Sequence, residues 1–274
     1  MSLVRNPKIR LENDQQADLM AAMHRAADAA ASVTMTHFRS DMRVENKAGL
    51  SNFDPVTQAD RQAELAIRDS LQRDFPDIGF FGEEHDSVQG TSGLTWVVDP
   101  IDGTRAFMSG MPLWGTLIGL FDGQDAILGL MDQPFMQERF CAAEQVSTLI
   151  SSSDSRVLNT RSGVELSEAT LYCTTPDIFS DVYSRAAFER VKGRVRLARY
   201  GGDCYAYALL AAGYVDVVLD CDLKPYDIVA LIPLIESAGG VVSTWGGLSA
   251  VDGGLVVACG SAQLHEQTIA LLQG

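Results

Sequence analysis

The sequence predicts a mixed α/β protein built from alternating layers of helix and sheet. Three observations carry that expectation. Two amphipathic helical patterns open the chain, short β-branched runs separated by turn residues fill its middle, and its last third alternates strand with helix. At 274 residues there is enough chain for a large core, in one compact unit or two subdomains.

Between residues 14 and 38, Leu19, Met23, Ala26, Ala27, Ala30 and Val33 recur on one face and predict a helix. A second helix is expected after Asp54-Pro55-Val56-Thr57. Ala59, Ala63, Ala66, Ile67 and Leu71 repeat at three-to-four spacing until Pro76 stops them, with Asp60 in the first turn. Residues 78–81 predict a short strand that delivers Glu83 and Glu84. The run Val97-Val98 predicts a strand ending in Asp99, where Pro100 stops the ladder and Asp102-Gly103-Thr104 turns into a helix. Residues 113–121 and 126–132, joined by Asp122-Gly123-Gln124-Asp125, predict an antiparallel hairpin, with a further strand near 139–142. The Ser-rich, weakly patterned stretch 144–168 is the expected junction between an N-terminal α+β subdomain (1–145) and a C-terminal α/β subdomain (146–274). Beyond it, strands are expected at 171–174, 195–200, 215–219 and 255–259. Helices are expected at 204–212 and 226–238, stopped by Gly213 and by Gly239-Gly240, with one more closing the chain.

A formal net charge of −15 argues against nucleic acid or an anionic membrane as the main partner, because both require a basic footprint. Five cysteines form an odd set without C-x-x-C spacing, and neither a leader pattern nor an apolar run of membrane length is present. The expectation is a reduced, cytoplasmic protein with buried thiols.

The chemistry is concentrated in carboxylates. Asp60, Glu83, Asp99, Asp102 and Asp227 all fall at expected element ends, and Glu83, Asp99 and Asp227 have no basic neighbour in sequence. Converging carboxylates cannot all stay ionised without cations, so either they do not converge or they bind metal. His24, His37, His85 and His265 are scattered, which disfavours zinc, and all-oxygen ligation favours Mg²⁺ with Mn²⁺ as substitute. The backbone N–H groups of Gly103 and Thr104, next to Asp102, could cradle phosphate oxygens. Thr104 reads either as a helix N-cap or as a hydroxyl, held by Asp60, that orients an attacking water. Asp203, after Gly201-Gly202, reads either as the N-cap of the helix at 204–212 or as a cleft residue facing a cationic substrate. Asp220 reads either as a solvated strand end or as a second such carboxylate. Arg105 and Arg199 could meet phosphate or simply be solvated, and Glu84 could support the site or be exposed.

Four spaced motifs resemble the inositol monophosphatase superfamily. They are Asp54-Pro55-Val56-Thr57-Gln58-Ala59-Asp60, Gly82-Glu83-Glu84, Asp99-Pro100-Ile101-Asp102-Gly103-Thr104, and Tyr226-Asp227 with Gly239-Gly240. The resemblance implies a sugar-phosphatase type of layered α/β fold, a homodimer, and a phosphomonoesterase that uses two or three Mg²⁺ ions and is sensitive to lithium. It implies metal ligation by Glu83, Asp99, the carbonyl of Ile101, Asp102 and Asp227, with Asp60, Glu83 and Thr104 serving catalysis. Within the superfamily the chain is most similar to the histidinol-phosphate phosphatases. Tyr200-Gly201-Gly202-Asp203-Cys204-Tyr205-Ala206-Tyr207 and Leu223-Lys224-Pro225-Tyr226-Asp227 carry that similarity. It nominates Arg199, Gly201, Gly202, Asp203, Asp220 and Asp227 as substrate contacts and histidine biosynthesis as the setting. The rivals are a phosphatase for inositol monophosphate or another small sugar phosphate, and a catalytically idle, metal-stabilised binding protein. Tyr226 stands where the wider superfamily commonly has Trp, which weakens the case for inositol phosphate.

Overall fold

Helices and sheets alternate through the molecule as the sequence predicts. The computed structural model describes residues 3–40, 44–46 and 55–274. In chain order the elements are α1 (Asn13–His37), β1 (Val44–Asn46), β2 (Pro55–Thr57), α2 (Gln58–Asp74), β3 (Gly79–Gly82), β4 (Thr95–Asp102), α3 (Thr104–Met108), β5 (Gly115–Phe121), β6 (Ala126–Gln133), β7 (Glu138–Ala143), β8 (Val146–Ser151) and β9 (Ser155–Val157). They continue as β10 (Thr170–Cys173), α4 (Val182–Lys192), β11 (Leu197–Tyr200), α5 (Asp203–Ala211), β12 (Val217–Leu223), α6 (Pro225–Ile228), α7 (Leu231–Glu236), β13 (Val241–Thr244), β14 (Gly254–Cys259) and α8 (Ala262–Gln273). Asp54 of the first motif lies outside the described residues.

β3 to β9 form a seven-stranded sheet in sequence order, and β11-β10-β12-β14-β13 form a five-stranded one. Side chains alternate across β4, so Trp96 and Val98 face one side of the larger sheet while Val97 faces the other. Trp96 and Val98 join Met23, Ala26 and Ala30 of α1 and Ala63, Ile67 and Leu71 of α2 in an outer layer. The alanines let the two helices approach closely. Val97, Leu117 and Met131 instead pack with α5, α6 and α7, which also receive Val218, Val256 and Ala258 of the smaller sheet. The far face of that sheet is covered by Phe188 and Val191 of α4 and Leu264 and Leu272 of α8. α5, α6 and α7 therefore fill the layer between the sheets. Asp99, two residues beyond Val97 on the same strand, points into that layer. Each fully buried Leu or Phe, such as Leu71 or Phe80, contributes about 2–3 kcal/mol relative to exposure.

Several expectations are corrected. Pro100 does not end its strand. Pairing runs to Asp99↔Leu117 and resumes at Asp102↔Gly115, with the missing proline N–H falling in the irregularity between them. The Pro100 carbonyl accepts from Thr116 Oγ1 at 2.8 Å. The stretch 144–168 holds β8 and β9, so the larger sheet runs past residue 145 to Val157. Its serines hid the pattern, although Ser147 is buried and bonds the Leu234 carbonyl at 2.6 Å. The helix expected at 226–238 is split into α6 and α7, because Pro233 lacks the N–H that would bond to the Val229 carbonyl. The interruption at residues 229–230 lies on the larger sheet over Gly119 and Gly129, which are cross-strand partners. A Cβ on Gly129 would sit 2.0 Å from the Ala230 oxygen, so that slot exists only because both residues lack side chains. α4, capped by Asp181 through the Tyr183 and Ser184 N–H groups, and β13 were not expected from sequence.

Candidate functional site

The acidic segments meet at one end of the middle layer. β4 brings Asp99 and Asp102, α6 brings Asp227, and one carboxylate oxygen from each lies within 4.8 Å of the others. The turn that holds β4 against α3 is pinned from below. Ile101 and Phe107 are buried with Phe38, Ala59 and Trp114, and the rings of Phe107 and Trp114 meet edge to face at 4.8 Å. Asp227 is set by its own helix start, where its Oδ2 accepts the Lys224 N–H at 2.6 Å. Tyr226 stacks on Phe81 of β3, which ties α6 to the strand preceding Glu83.

Asp99 is buried, and its Oδ1 accepts the Ile101 N–H at 3.0 Å. Burial pushes its carboxyl well above the usual range, and the charges of Glu83, Asp102, Asp227 and Asp60 push in the same direction. Asp102 accepts the Cys204 N–H from the start of α5 at 2.8 Å. It is likewise raised well above its ordinary value, by burial first and then by Asp203 and Asp227. Asp227 is raised to about 7 by burial, with the Lys224 N–H opposing and Glu83 adding. Three crowded carboxylates that resist ionisation form a hard, all-oxygen donor set suited to divalent cations of the Mg²⁺ or Ca²⁺ type and poorly suited to zinc.

A cleft of about 410 Å³ opens beside this cluster, lined by Asp102, Gly103, Thr104, Arg105, Asp203 and Asp227 and also by Thr174, Tyr207, Asp220 and Asp222. Gly103, at φ 83, is the N-cap of α3, so Thr104 is the first helical residue and not the cap. Its hydroxyl lies 3.1 Å from the Ile101 carbonyl and 3.4 Å from Asp60 Oδ1. Asp203 is also not a cap: Gly202 holds that position and Asp203 opens α5 with a positive φ of 44. Its carboxylate leans over Gly103, where a Cβ would come within 3.0 Å of Oδ2. Burial raises Asp203 to about 6 against the pull of the Thr174 hydroxyl and Arg105. Asp220 is no solvated strand end. It is buried in mid-strand, accepts the Thr174 N–H at 2.8 Å and the Tyr207 hydroxyl at 3.0 Å, and is raised to about 7 by burial.

Not every nominated residue reaches this cleft. Arg199 is exposed on the edge strand β11, and neither it nor Gly201 and Gly202 is among the lining residues. Reasoning from sequence overlooked Thr174, Tyr207 and Asp222 in the wall. His85, scattered from the other histidines in sequence, shares a turn with Glu83 and meets a buried carboxylate, Glu64, at 3.1 Å. Glu64 itself was missed. Its position four residues after Asp60, hence on the same face of α2, is the signal that could have found it. All five cysteines are buried and unbridged, and among the described residues no helix is long and apolar enough to cross a membrane.

Comparison with known proteins places the chain among phosphatases of one fold. The chain is 40% identical over 273 residues to the bifunctional phosphatase IMPL2, chloroplastic, of Arabidopsis thaliana, covering 95% of this chain and 77% of that one. It is 35% identical over 244 residues to a histidinol-phosphatase of Chlorobaculum parvum, covering 88% and 92%. The solved structure of an inositol monophosphatase from Zymomonas mobilis superposes with a TM-score of 0.82 at 35% identity, covering 97% of this chain and all of that one. Residues 15–274 match the Inositol monophosphatase family, and the chain belongs to that family of metal-using phosphoric monoester hydrolases.

Proposed function

We propose that the protein is a Mg²⁺-dependent phosphatase whose preferred ester is histidinol phosphate. The observation that carries this reading is that one cleft joins the three-carboxylate cluster to further acidic groups, Asp203 over Gly103 and Asp220 and Asp222 beyond it in the lining. Asp99, Asp102 and Asp227, joined by Glu83 and the Ile101 carbonyl, would hold two or three divalent ions, with Mn²⁺ able to substitute. Such ions, when bound, offset phosphate charge and lower the pKa of water.

The chain's own groups do the positioning. Thr104 has one hydroxyl hydrogen and two acceptors in reach, the Ile101 carbonyl and Asp60 Oδ1. Donation to Asp60 leaves the lone pairs of Oγ1 to accept from the attacking water and orient it toward phosphorus. The start of α3 at Gly103 and Thr104, with Asp102 alongside, receives the phosphoryl oxygens. Histidinol carries an ammonium group, and a cation of that kind gives Asp203 and Asp220 a reason to line the cleft as carboxylates. The unbridged thiols fit a reducing compartment such as the cytoplasm, and a homodimer is the expected assembly.

Phosphate release from histidinol phosphate, inositol 1-phosphate and glycerol phosphate, with Mg²⁺ and with chelator, tests the reading. Preference for histidinol phosphate that vanishes in chelator is the expected result. The likeness to the Zymomonas mobilis inositol monophosphatase favours inositol phosphate as the second reading, and higher kcat/KM on that ester would establish it. Undiminished turnover in chelator would refute the metal mechanism altogether.

A further inference from the structure

We propose that Glu64 is a positioning residue for the cation site. It clamps the turn after β3 so that Glu83 is held toward Asp99 and Asp227 before any cation arrives. The inference rests on the reading of Glu83 as a cation ligand and adds the element that fixes its place.

Glu64 is fully buried on α2 and does not face the cleft. A carboxylate is retained in such a place only where hydrogen bonds replace its water. Here Oε2 accepts the Glu84 N–H at 2.7 Å, and Oε1 accepts the His85 N–H at 3.1 Å with the His85 ring Nδ1 also at 3.1 Å. Both backbone donors belong to the residues that directly follow Glu83. Gly82, which precedes it, is pressed against the same carboxylate: a Cβ there would lie 2.4 Å from Glu64 Cδ. Glu83 is thus bracketed on both sides by contacts to one buried group.

The bracket is itself held. Arg68, one turn further along α2, approaches Glu64 Oε1 at 3.4 Å, donates to the Asp86 carbonyl at 2.9 Å, and lies over the Phe80 ring at 4.5 Å. One turn in the other direction is Asp60, the partner of the Thr104 hydroxyl. A single helix face therefore sets both the turn carrying Glu83 and the group that orients Thr104. An apolar residue in that space would leave the Glu84 and His85 N–H groups without this acceptor, so the carboxylate fixes the turn and does not merely fill a gap. The arrangement makes sense where a fixed turn is needed beside other carboxylates. Without the clamp, the turn that carries Glu83 would lose its fixed acceptor, and repulsion from Asp99 and Asp227 would act on a looser backbone.

Mn²⁺ binding, followed by the paramagnetic resonance signal of the free ion, supplies a readout independent of turnover. In Glu64→Gln the side-chain NH₂ opposes one of the two backbone donors, and the Mn²⁺ dissociation constant is expected to rise about tenfold or more, as supporting residues of metal sites typically do. Gly82→Ala displaces the same carboxylate from the other side and should raise it comparably. Leu71→Val, a core change farther along α2, should lower the melting temperature and leave Mn²⁺ affinity unchanged. In activity assays, Glu64→Gln should need about tenfold more Mg²⁺ for half-maximal rate and recover near wild-type kcat at saturation. Wild-type Mn²⁺ affinity in Glu64→Gln, with only the melting temperature reduced, would overturn the proposal. Absence of Mn²⁺ binding by the wild type would overturn the cation reading beneath it, so the two failures are distinguishable.

Discussion

Replacing Asp99 by Asn should stabilise the chelated protein while removing its response to cation. The Asn Oδ1 can still accept the Ile101 N–H that Asp99 holds at 3.0 Å, so the local backbone has no reason to move. What changes is charge. Carboxylate oxygens of Asp99, Asp102 and Asp227 lie within 4.8 Å of one another, and two unit charges at that separation repel by about 3.5 kcal/mol at an effective dielectric constant of about 20. Part of that cost is already relieved by protonation, because Asp99 is raised well above its ordinary pKa by burial and its neighbours. A net gain of about 1–3 kcal/mol at pH 8 follows, and for a chain of this size each 1 kcal/mol shifts the melting temperature by about 2 °C. The wild type should gain about 2.7 kcal/mol, or roughly 5 °C, from Mg²⁺ at a hundred times its dissociation constant, and the variant almost nothing. Thermal unfolding by circular dichroism in chelator and in Mg²⁺ measures both quantities. A variant that melts well below the wild type in chelator, or that keeps the full Mg²⁺-induced rise, would sink this reasoning.

Thr104→Ser should retain most activity, while Thr104→Ala should lose about 10- to 100-fold in kcat with a nearly unchanged melting temperature, since Thr104 is not the cap of α3. Normal turnover with an early melt would return Thr104 to a purely structural role. Asp203, Asp220 and Asp227 have folded pKa values raised to about 6, 7 and 7, so the stability they permit is fully present below pH 4 and is lost as pH rises through 7. Urea unfolding in chelator should therefore show these groups costing stability between about pH 4 and pH 7, and Mg²⁺ should flatten the slope; a steeper slope with Mg²⁺ would contradict it. Gly129→Ala, whose Cβ would meet the Ala230 oxygen at 2.0 Å, should cost about 1–3 kcal/mol or more and weaken cation binding by shifting α6; a neutral result would show that the slot is loose. Asp203→Asn should lower kcat/KM about tenfold for histidinol phosphate and leave glycerol phosphate nearly untouched. Equal losses on both esters would remove Asp203 from substrate selection.

The parts of the site that could be read from sequence were those set by local rules. Asp99 and Asp102 stand where a β-branched run meets Pro and Gly, and Asp227 starts a helix after Pro225, so spacing alone placed them at element ends. Glu64 was harder to read for the opposite reason. A single Glu in a polar-rich helix reads as solvated, its spacing from Asp60 is the one local hint, and its role as a buried acceptor comes from the Glu84 and His85 N–H groups of a distant turn. Asp220 misled in the same way, since the hydrogen bonds that hold it come from Thr174 and Tyr207, far away in sequence. The layered fold followed from periodicity, yet β8 and β9 escaped because their serines mimic loop composition, Ser147 bonding across to Leu234 and Ser151 locally to Asp154 in the turn between the strands. Pro233 was the local signal for the α6–α7 split, and it carries more weight than the apolar spacing around it.

The glycine slot beneath residues 229–230 has a consequence for how the protein comes into being. The strands bearing Gly119 and Gly129 are synthesised well before the segment that fills the hollow between them. Until Ala230 docks there, the larger sheet carries an open furrow, and Asp99 and Asp102 wait without Asp227. Cation affinity should therefore appear late in refolding and on the ribosome, in step with closure of the furrow. A nascent chain truncated before α6 would carry all seven strands of the larger sheet and little ability to capture a divalent ion.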